Sequence, residues 1–483
     1  MDNIAFRPAT ELARLIRNRR ISSRELLEIY LARIDRFDKQ INAVVTLDAE
    51  AARRQALRAD EMQARGEVLG PLHGVPVTIK DGFETAGLRT TSGAPIYKDH
   101  IPRDNAAAVQ RYVDAGAVIM GKTNVPLFCA DSQSFNALFG TTNNPWDLTR
   151  TPGGSSGGAV AALAAGLAGL ELGSDIAGSI RLPAAWAGVY GHKPSYGIVP
   201  FRGHIPPPPG ILSEADLSVA GPLGRSAGDL KIALKILAGP EGLQSVGWKL
   251  ALPPPRAKRL KDYRVAAWLD DAAMPVDREV ADRLRETVAA LRKAGVRVDD
   301  AARPAMPTSE ALRTFQQLLT PIIATGFPKQ VMEAFKQIAQ AKDDGSDLAR
   351  FARDALLSHR EWLGANAKRH SHRRIWADFF RDYDILLCPA GSVTAIEHNT
   401  AGTQMDRRIT VNGQSQPYGL LIAWAGIFTY VYLPVTCVPV GRTSGNLPVG
   451  MQIVGPYLED RTTIDFAERL AREIGGFTPP PGY

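Results

Sequence analysis

The sequence predicts an α/β protein in which helices cover both faces of a β-sheet. Four short apolar segments are bounded by glycine, proline or charged residues and are too short for helices; they lie at 75–79, 117–120, 265–268 and 385–387. Helical patterns such as 106–115 and 278–294 alternate with them. This βαβ rhythm favours a largely parallel sheet.

The composition is that of an ordinary globular protein. The chain has 483 residues, of which 45% are hydrophobic and 22% charged. At roughly 150 residues per domain this length suggests about three domains, but one large α/β unit fits it as well. The net charge of +7 arises from 57 basic and 50 acidic residues, which is too dilute for the basic stripe of a nucleic-acid-binding protein. We expect no nucleic-acid partner.

The cysteines and the first residues indicate a cellular compartment. Cys129, Cys388 and Cys437 are far apart and include no Cys-x-x-Cys pair for a zinc or redox site. Residues 1–20 lack the apolar segment and cleavage site of a secretory signal. We therefore expect reduced thiols and a cytoplasmic protein.

Two amphipathic helices are expected within residues 1–60. Thr10 leads the first. Ser22 leads the second, and Glu25, three residues later, completes a capping box.

The rest of the chain divides into a core and an insertion. Residues 60–225 and 385–470 carry the strand patterns of the core, whereas 240–380 is richer in charge and long helical patterns and predicts a helical cap or insertion on the sheet. The run 419–441 has no charge and is long enough to span a membrane. Its prolines, threonines and β-branched residues instead favour a buried helix followed by a central strand, so we expect no membrane span.

Two short motifs match well-known catalytic patterns, but their context argues against both. Residues 116–123 (GAVIMGKT) fit a phosphate-binding loop, with Lys122 on the nucleotide and Thr123 on magnesium. That loop must open a helix, whereas this segment has the pattern of a strand. Residues 153–157 (GGSSG) fit the nucleophile elbow of α/β-hydrolases, with Ser155 as nucleophile, but turn-forming residues precede them where a strand is required.

Three segments taken together are more informative. Residues 151–158 (TPGGSSGG) place glycines around two serines before a helix, so backbone amides and the helix N-terminus can approach a ligand. Residues 173–184 (GSDIAGSIRLPA) surround Ser179 with small residues. Residues 74–81 (GVPVTIKD) end an apolar strand with Lys80, which is therefore expected to be partly desolvated.

These segments resemble the amidase signature family, together with GKTN, NNPWD, GHKPSYG and LPVGMQIVGP elsewhere in the chain. That family of serine hydrolases includes fatty acid amide hydrolases, bacterial and peptide amidases, aryl acylamidases and amidotransferase A subunits. The matching motifs are in order and correctly spaced. The resemblance implies one domain over 1–483, with a central mixed, twisted β-sheet covered by helices on both faces. It also implies an amidohydrolase acting on linear C–N bonds without metal or cofactor.

The resemblance also implies residue roles. Ser179 would be the nucleophile, Ser155 the bridging serine after a cis peptide bond, and Lys80 the base. Backbone amides would form the oxyanion hole, at Ile176, Ala177, Gly178 and Ser179. The family usually has glycine where this chain has Ala177, and the added methyl group is expected to narrow the acyl side of the pocket.

The residue chemistry agrees with these roles. A lysine with the ordinary pKa near 10.4 is protonated at pH 7 and cannot act as a base, so its pKa must be lowered to about 7 to 8. Burial of Lys80 would have that effect. Asp175 and Arg181 are expected to order the nucleophile loop through a charge-assisted hydrogen bond, supported by Ser156.

The expected substrate is a small, uncharged and fairly hydrophobic amide or anilide. Apolar residues dominate the segments expected to line the pocket, which include a helical stretch near 312–335. The candidate substrate-binding residues are Leu127, Phe128, Cys129, Ala130, Asp131, Gly154, Ile205 and Ile211. Carbamates and esters carry a similar carbonyl and are possible substrates. We expect a monomer or homodimer.

Two other functions stay open. One is the glutaminase-type A subunit of a tRNA-dependent amidotransferase, against which the proline-rich segment 200–218 argues. The other is a P-loop-like nucleotide-binding protein that uses Lys122.

Several histidines and a basic run are expected to be structural. His192 and His204 are expected to be structural or pocket-lining, because the expected triad already has a base. His370 and His372 have the wrong spacing for a metal site. The basic run 368–374 is expected to be a solvated helix face.

Overall fold

The computed structural model describes residues 4–341 and 344–483. The strands of these residues are β1 (Val44–Leu47), β2 (Pro76–Lys80), β3 (Val118–Thr123), β4 (Phe135–Asn136), β5 (Gly140–Thr141), β6 (Glu171–Asp175), β7 (Tyr190–Lys193), β8 (Val219–Gly224), β9 (Arg264–Ala267), β10 (Arg297–Asp299), β11 (Ile385–Pro389), β12 (Arg408–Val411), β13 (Gln414–Pro417), β14 (Val435–Arg442) and β15 (Pro448–Val454). The helices are α1 (Ala9–Arg17), α2 (Ser23–Ile41), α3 (Ala49–Ala64), α4 (Ala107–Asp114), α5 (Gly157–Ala164), α6 (Arg181–Ala187), α7 (Ala227–Leu237), α8 (Gln244–Gly247), α9 (Arg278–Lys293), α10 (Thr308–Ala324), α11 (Lys329–Gln340), α12 (Asp347–Ala355), α13 (His359–Asp382), α14 (Ala423–Thr429) and α15 (Asp460–Ile474).

Eleven of these strands form one mixed sheet, in the order β1-β3-β2-β6-β8-β7-β14-β15-β11-β9-β10. β2 is parallel to β3 and β6, and β9 is parallel to β10 and β11. The other neighbours are antiparallel, including all those in the middle of the sheet. The largely parallel sheet expected from the βαβ rhythm is therefore wrong. A short turn such as the one between β14 and β15 can join only antiparallel strands.

Helices cover both faces of this sheet. Side chains of a strand alternate between faces, yet every residue of β2, β3, β6, β8 and β15 is buried. The main hydrophobic cluster draws on residues along most of the chain, the first being Ala5 and the last Leu470. The expected α/β architecture is confirmed.

The N-terminal helices follow the sequence pattern closely. The capping box of α2 is present, with Ser22 and Glu25 each accepting from the other's backbone N–H. Thr10, however, does not lead α1. It lies inside the helix and donates both its hydroxyl and its backbone N–H to Asp229 Oδ1.

The apolar run 419–441 is part of the core. It supplies α14, which is entirely buried, and most of β14. The expected buried helix and strand are confirmed. Among the described residues, no helix is both long and apolar enough to cross a membrane.

The segment 240–380 contributes to the sheet as well as to its helical cover. It supplies the edge strand β10 and its neighbour β9 together with α8 to α12 and most of α13. In α13 the basic run 368–374 is only partly the solvated face expected from its charge, since Lys368, His370 and Arg374 are exposed. Arg369 and His372 are buried, where Arg369 pairs with Asp216 and His372 contacts the Tyr430 hydroxyl.

Two helical glycines predict opposite effects of substitution to alanine. A Cβ on Gly158 in α5 would lie 2.3 Å from the backbone nitrogen of Asn124, whereas a Cβ on Gly364 in α13 would meet nothing within 4 Å. Gly364→Ala should raise the free energy of unfolding by about 0.5 to 1 kcal/mol. Gly158→Ala should lower it by about 1 to 3 kcal/mol or more, because the helix must move away from β3. Urea denaturation measures both, and stabilisation by both substitutions would contradict the packing of α5.

Candidate active site

Lys80 is the last residue of β2, and its side chain is completely buried. Its Nζ lies 2.7 Å from Ser155 Oγ, 3.0 Å from Ser156 Oγ and 3.3 Å from the Ser174 carbonyl oxygen. Burial lowers the pKa of Lys80, against the weaker opposing effects of Cys129, Asp175 and Glu171. Within the described residues no carboxylate forms an ion pair with Lys80, so the site favours the neutral amine.

The hydrogen bonds fit this neutral amine. The Ser174 carbonyl can only accept, and the Ser156 hydroxyl donates to the same carbonyl at 3.4 Å, so Ser156 must accept from Lys80. These two bonds use both N–H groups of a neutral lysine. Its lone pair is left to accept the proton of the Ser155 hydroxyl.

Ser155 and Ser156 lie in the glycine-rich segment just before α5. The peptide bond between Gly154 and Ser155 is cis. Gly154 packs tightly against the next loop, since a Cβ there would lie 2.6 Å from the Asp131 carbonyl oxygen. Only glycine fits this approach.

Ser179 lies in the turn between β6 and α6. It is partly exposed, whereas Ser155 is buried. The Ser156 N–H donates to the Ser179 carbonyl at 3.2 Å, which joins this turn to the glycine-rich segment. The side chain of Ser179 is therefore accessible to solvent, while the backbone of the turn is hydrogen-bonded to the glycine-rich segment.

Asp175 and Arg181 hold this turn. Asp175 accepts from the backbone N–H groups of Gly178 at 2.8 Å and Ile180 at 3.0 Å, on either side of Ser179. Burial would raise the pKa of Asp175, but the adjacent Arg181 and the backbone donor of Ile180 lower it to about 2. The carboxylate therefore stays ionised.

All five N–H groups of Arg181 are bonded. Two hydrogen bonds reach Asp175, and the others reach partners far along the chain, namely the Ala425 carbonyl, Thr429 Oγ1 and Gln452 Oε1. The side chain is completely buried. Such a saturated guanidinium fixes the start of α6 in one position.

The backbone amides around Ser179 differ in availability. The Gly178 amide is already bonded to Asp175, so it is not free as expected for an oxyanion hole. Among the described residues, the amides of Ile176, Ala177 and Ser179 donate to no partner. Three of the four expected donors are therefore open to a ligand.

The expected substrate-binding residues are not equivalent. Leu127, Ala130 and Ile211 are exposed and Phe128 is partly exposed, whereas Ile205 is buried. Cys129 interacts with Lys80 and Ser155 and lies 3.5 Å from Ser92 Oγ, so its side chain faces the site.

Asp131 is engaged elsewhere. Its carboxylate accepts from Arg407 at 2.7 Å and from the Tyr418 hydroxyl at 2.6 Å, and the ion pair is nearly buried. Both partners lie more than 270 residues further along the chain, so no local pattern could have predicted them. The carboxylate is therefore not free to bind a cationic substrate.

Lys122 and Thr123 do not form a phosphate-binding loop. Both are buried in β3, and Lys122 donates to the Phe83 carbonyl and to Thr85 Oγ1. The nucleotide-binding alternative lacks the loop and helix that it requires.

Two of the histidines named above are buried and contact protein groups. His192 is buried between Thr436 and Asp460, and His204 contacts Ser174. Among residues 4–341 and 344–483, no group of histidine, cysteine and carboxylate side chains is arranged to hold a metal ion.

The buried ion pair predicts a large effect of Asp175→Asn. The substitution leaves the charged Arg181 without its counterion and should lower the free energy of unfolding by about 3 to 5 kcal/mol at pH 7. The difference should shrink between pH ~4, the ordinary value for Asp, and pH ~2, because the native Asp175 is then protonated as well. Asp147→Asn is the matched control: its pair with Arg150 is partly exposed and should be worth about 0 to 1 kcal/mol. Equal losses in urea denaturation would contradict this account.

Comparison with known proteins agrees with the geometry. A model of the Amidase family matches residues 25–464. The glutamyl-tRNA(Gln) amidotransferase A subunit of Moorella thermoacetica is 32% identical over 482 residues, covering 95% of each chain. Indoleacetamide hydrolase of Bradyrhizobium diazoefficiens is 32% identical over 476 residues, covering 97% of this chain and 86% of the relative. An amidase crystal structure superposes with a TM-score of 0.78 at 29% identity, covering 97% and 100% of the two chains. A bacterial aryl acylamidase shares the fold, with a TM-score of 0.81 at 24% identity over 97% of this chain and 96% of its own. The chain therefore belongs to the amidase signature family and is an enzyme that acts on C–N bonds.

Proposed function

We propose that the enzyme hydrolyses small, fairly hydrophobic amides or anilides through an acyl-enzyme on Ser179. The observation that carries the proposal is the buried Lys80, whose pKa is lowered by burial and whose Nζ lies 2.7 Å from Ser155 Oγ. A partly exposed serine next to this relay has the access that a nucleophile needs. Carbamates, including urethanes, and esters present a similar carbonyl and fall within the same chemistry.

The proposed reaction has two halves. Ser179 loses its proton to Ser155 as Ser155 loses its own to Lys80, and the Ser179 oxygen bonds to the substrate carbonyl carbon. The relay then runs backwards and protonates the leaving nitrogen as the C–N bond breaks. Water attacks the acyl-enzyme by the same relay and releases the acid and free Ser179.

The open amides support the charge that develops on the carbonyl oxygen. We propose an oxyanion hole formed by Ile176, Ala177 and Ser179, with Gly178 held by Asp175. Each such donor typically contributes roughly 3 to 4 kcal/mol to lowering the barrier. Because Asp175 and Arg181 fix the turn beforehand, the donors need no reorganisation during the reaction.

The walls near the site support a hydrophobic substrate. Leu127, Phe128 and Ile211 expose apolar surface, and the charge of Asp131 is neutralised by Arg407. One relative is named for the hydrolysis of indoleacetamide, an amide with an aromatic acyl group.

We propose that the segment 240–380 caps the acyl side of the site. In α10, Phe315 packs against Gly426, and the neighbouring Ala425 lies against Gly178. The cap thus reaches the proposed oxyanion hole through α14. We further propose a cytoplasmic enzyme that acts as a monomer or homodimer.

A second candidate is the glutaminase subunit of a tRNA-dependent amidotransferase. It is favoured by the relatives of that name, which match along almost the whole chain. Hydrolysis of indole-3-acetamide, a p-nitroanilide and glutamine by the isolated chain separates the two functions. A kcat/KM for glutamine above that for both aromatic amides would favour the glutaminase of an amidotransferase.

Lys80→Met and Lys122→Met are a matched pair that tests the base. Both lysines are completely buried, on neighbouring strands. Lys80→Met should lower kcat/KM for the anilide by about 10²- to 10⁴-fold, and a fluorophosphonate should label wild-type enzyme once, on Ser179. Lys122→Met should affect stability more than kcat. Labelling of Ser155, or a larger loss of kcat in Lys122→Met, would overturn the assignment.

Ala177→Gly tests the shape of the acyl pocket. Only the backbone N–H of Ala177 is needed for the oxyanion, whereas its partly exposed methyl group should penalise a branched acyl group by about 1 to 3 kcal/mol. The glycine variant should therefore gain kcat/KM for an isobutyryl anilide and change little for the acetyl anilide. An equal loss on both substrates would show that Ala177 stiffens the turn instead.

A further inference from the structure

His204 is a buried histidine beside the site, and the proposed mechanism gives it no proton to move. Its Nδ1 lies 3.0 Å from the Pro206 carbonyl oxygen, which can only accept, so Nδ1 carries the hydrogen. Its Nε2 lies 2.9 Å from Ser174 Oγ and therefore accepts the serine proton. Burial lowers the pKa of His204 to about 3. The neutral tautomer is thus retained at any working pH.

Ser174 connects this histidine to Lys80. Its hydroxyl is bonded to His204, and its backbone carbonyl accepts from Lys80 at 3.3 Å and from Ser156 at 3.4 Å. That carbonyl fixes one of the two N–H groups of the neutral amine, and so fixes the direction of the lone pair toward Ser155.

The histidine ring has little freedom to move. It stacks on Phe201 at 4.4 Å and meets the edge of Phe83 at 4.8 Å. A Cβ on Gly82 would lie 2.8 Å from its Nε2, so the backbone also confines it.

The loop that follows His204 is also held by backbone hydrogen bonds. The Ile205 N–H donates to the Gly82 carbonyl at 2.7 Å, and Ser92 Oγ donates to the Ile205 carbonyl at 2.7 Å. Residues 204–211 therefore form a loop whose first residues are bonded to the segment that follows β2 and whose Ile211 is exposed. We call these residues the proline loop.

We propose that His204 is a positioning residue for Lys80 and that it acts through Ser174. In this way His204 couples the placement of the proline loop to the orientation of the Lys80 amine. This rests on the proposed role of Lys80 as base. Since the same loop is a candidate wall of the pocket, a substrate that fits against it would favour the reactive orientation. A poorly fitting substrate would then lose kcat as well as affinity.

Two amide substitutions test the two ring nitrogens of His204 separately. His204→Gln places a carbonyl near the position of Nε2 and can still accept from Ser174. His204→Asn places its amide near Nδ1 and can still donate to Pro206, but does not reach Ser174. Ser174→Ala removes the hydroxyl that donates to His204 Nε2 and keeps the backbone carbonyl that accepts from Lys80.

The measurements are kcat, KM and the pH dependence of kcat/KM for the anilide. His204→Asn and Ser174→Ala should each lower kcat by about 10- to 100-fold. Each should also move the acidic limb to lower pH, because the Ser174 carbonyl is then no longer held where a protonated Lys80 can donate to it. Cys129, Asp175 and Glu171, the other titratable groups acting on Lys80, are the same in all variants. His204→Gln should recover most of kcat, and the His204→Asn/Ser174→Ala double variant should be no worse than either single one.

His192→Gln is the matched control, since His192 is also buried and bonded to a hydroxyl, that of Thr436. It should lower Tm but leave kcat and the acidic limb unchanged. The proposal is overturned if His204→Asn behaves in the same way, or if the double variant loses the product of the two single losses. Fluorophosphonate labelling of Ser179 in wild-type enzyme distinguishes the failures. If wild-type Ser179 is not labelled, the proposed function fails; if wild-type and His204→Asn enzymes are labelled at equal rates, only the role of His204 fails.

Discussion

A lysine ammonium that is buried without a carboxylate partner loses its hydration and gains no opposite charge in return, and this constraint shapes the site around Lys80. The three partners of its Nζ are two hydroxyl groups and one carbonyl. They satisfy a neutral amine fully. Lys122 is equally buried on the neighbouring strand, and burial lowers its pKa to about 8 against the opposing charge of Asp81.

The constraint extends to the surrounding backbone. A hydroxyl pair can flank the amine only if the glycine-rich segment is held in place beside it. Gly154 packs against the backbone of residues 131–133 and Gly158 against that of Asn124, where any side chain would collide. The turn that carries Ser179 needs a separate support, which the saturated Arg181 supplies. The proposed proton relay therefore lies in a nearly uncharged cluster around Lys80, whereas the ionic pair of Asp175 and Arg181 makes the turn rigid.

Much of this could be predicted from the sequence, because glycine density, capping residues and strand-ending charges are local signals. They indicated Lys80, the two serine segments and the helix at Ser22. The antiparallel centre of the sheet could not be predicted, since pairing between distant strands leaves no periodic trace in either strand. The same holds for Asp131, whose partner Arg407 lies 276 residues away. The commitment of the Gly178 amide depends on where the Asp175 carboxylate points, which the motif does not specify.

The distant partners of Arg181 also determine when its hydrogen bonds can be completed during synthesis. Ala425, Thr429 and Gln452 supply three of its five hydrogen bonds, and β14 and β15 fill the middle of the sheet. A nascent chain that has emerged only as far as α13 already contains Lys80, Ser155 and Ser179. Its guanidinium would nevertheless lack these acceptors and its sheet would lack its central strands. In a ribosome-bound chain the turn that carries Ser179 therefore lacks this support until residues 425–452 have been synthesised.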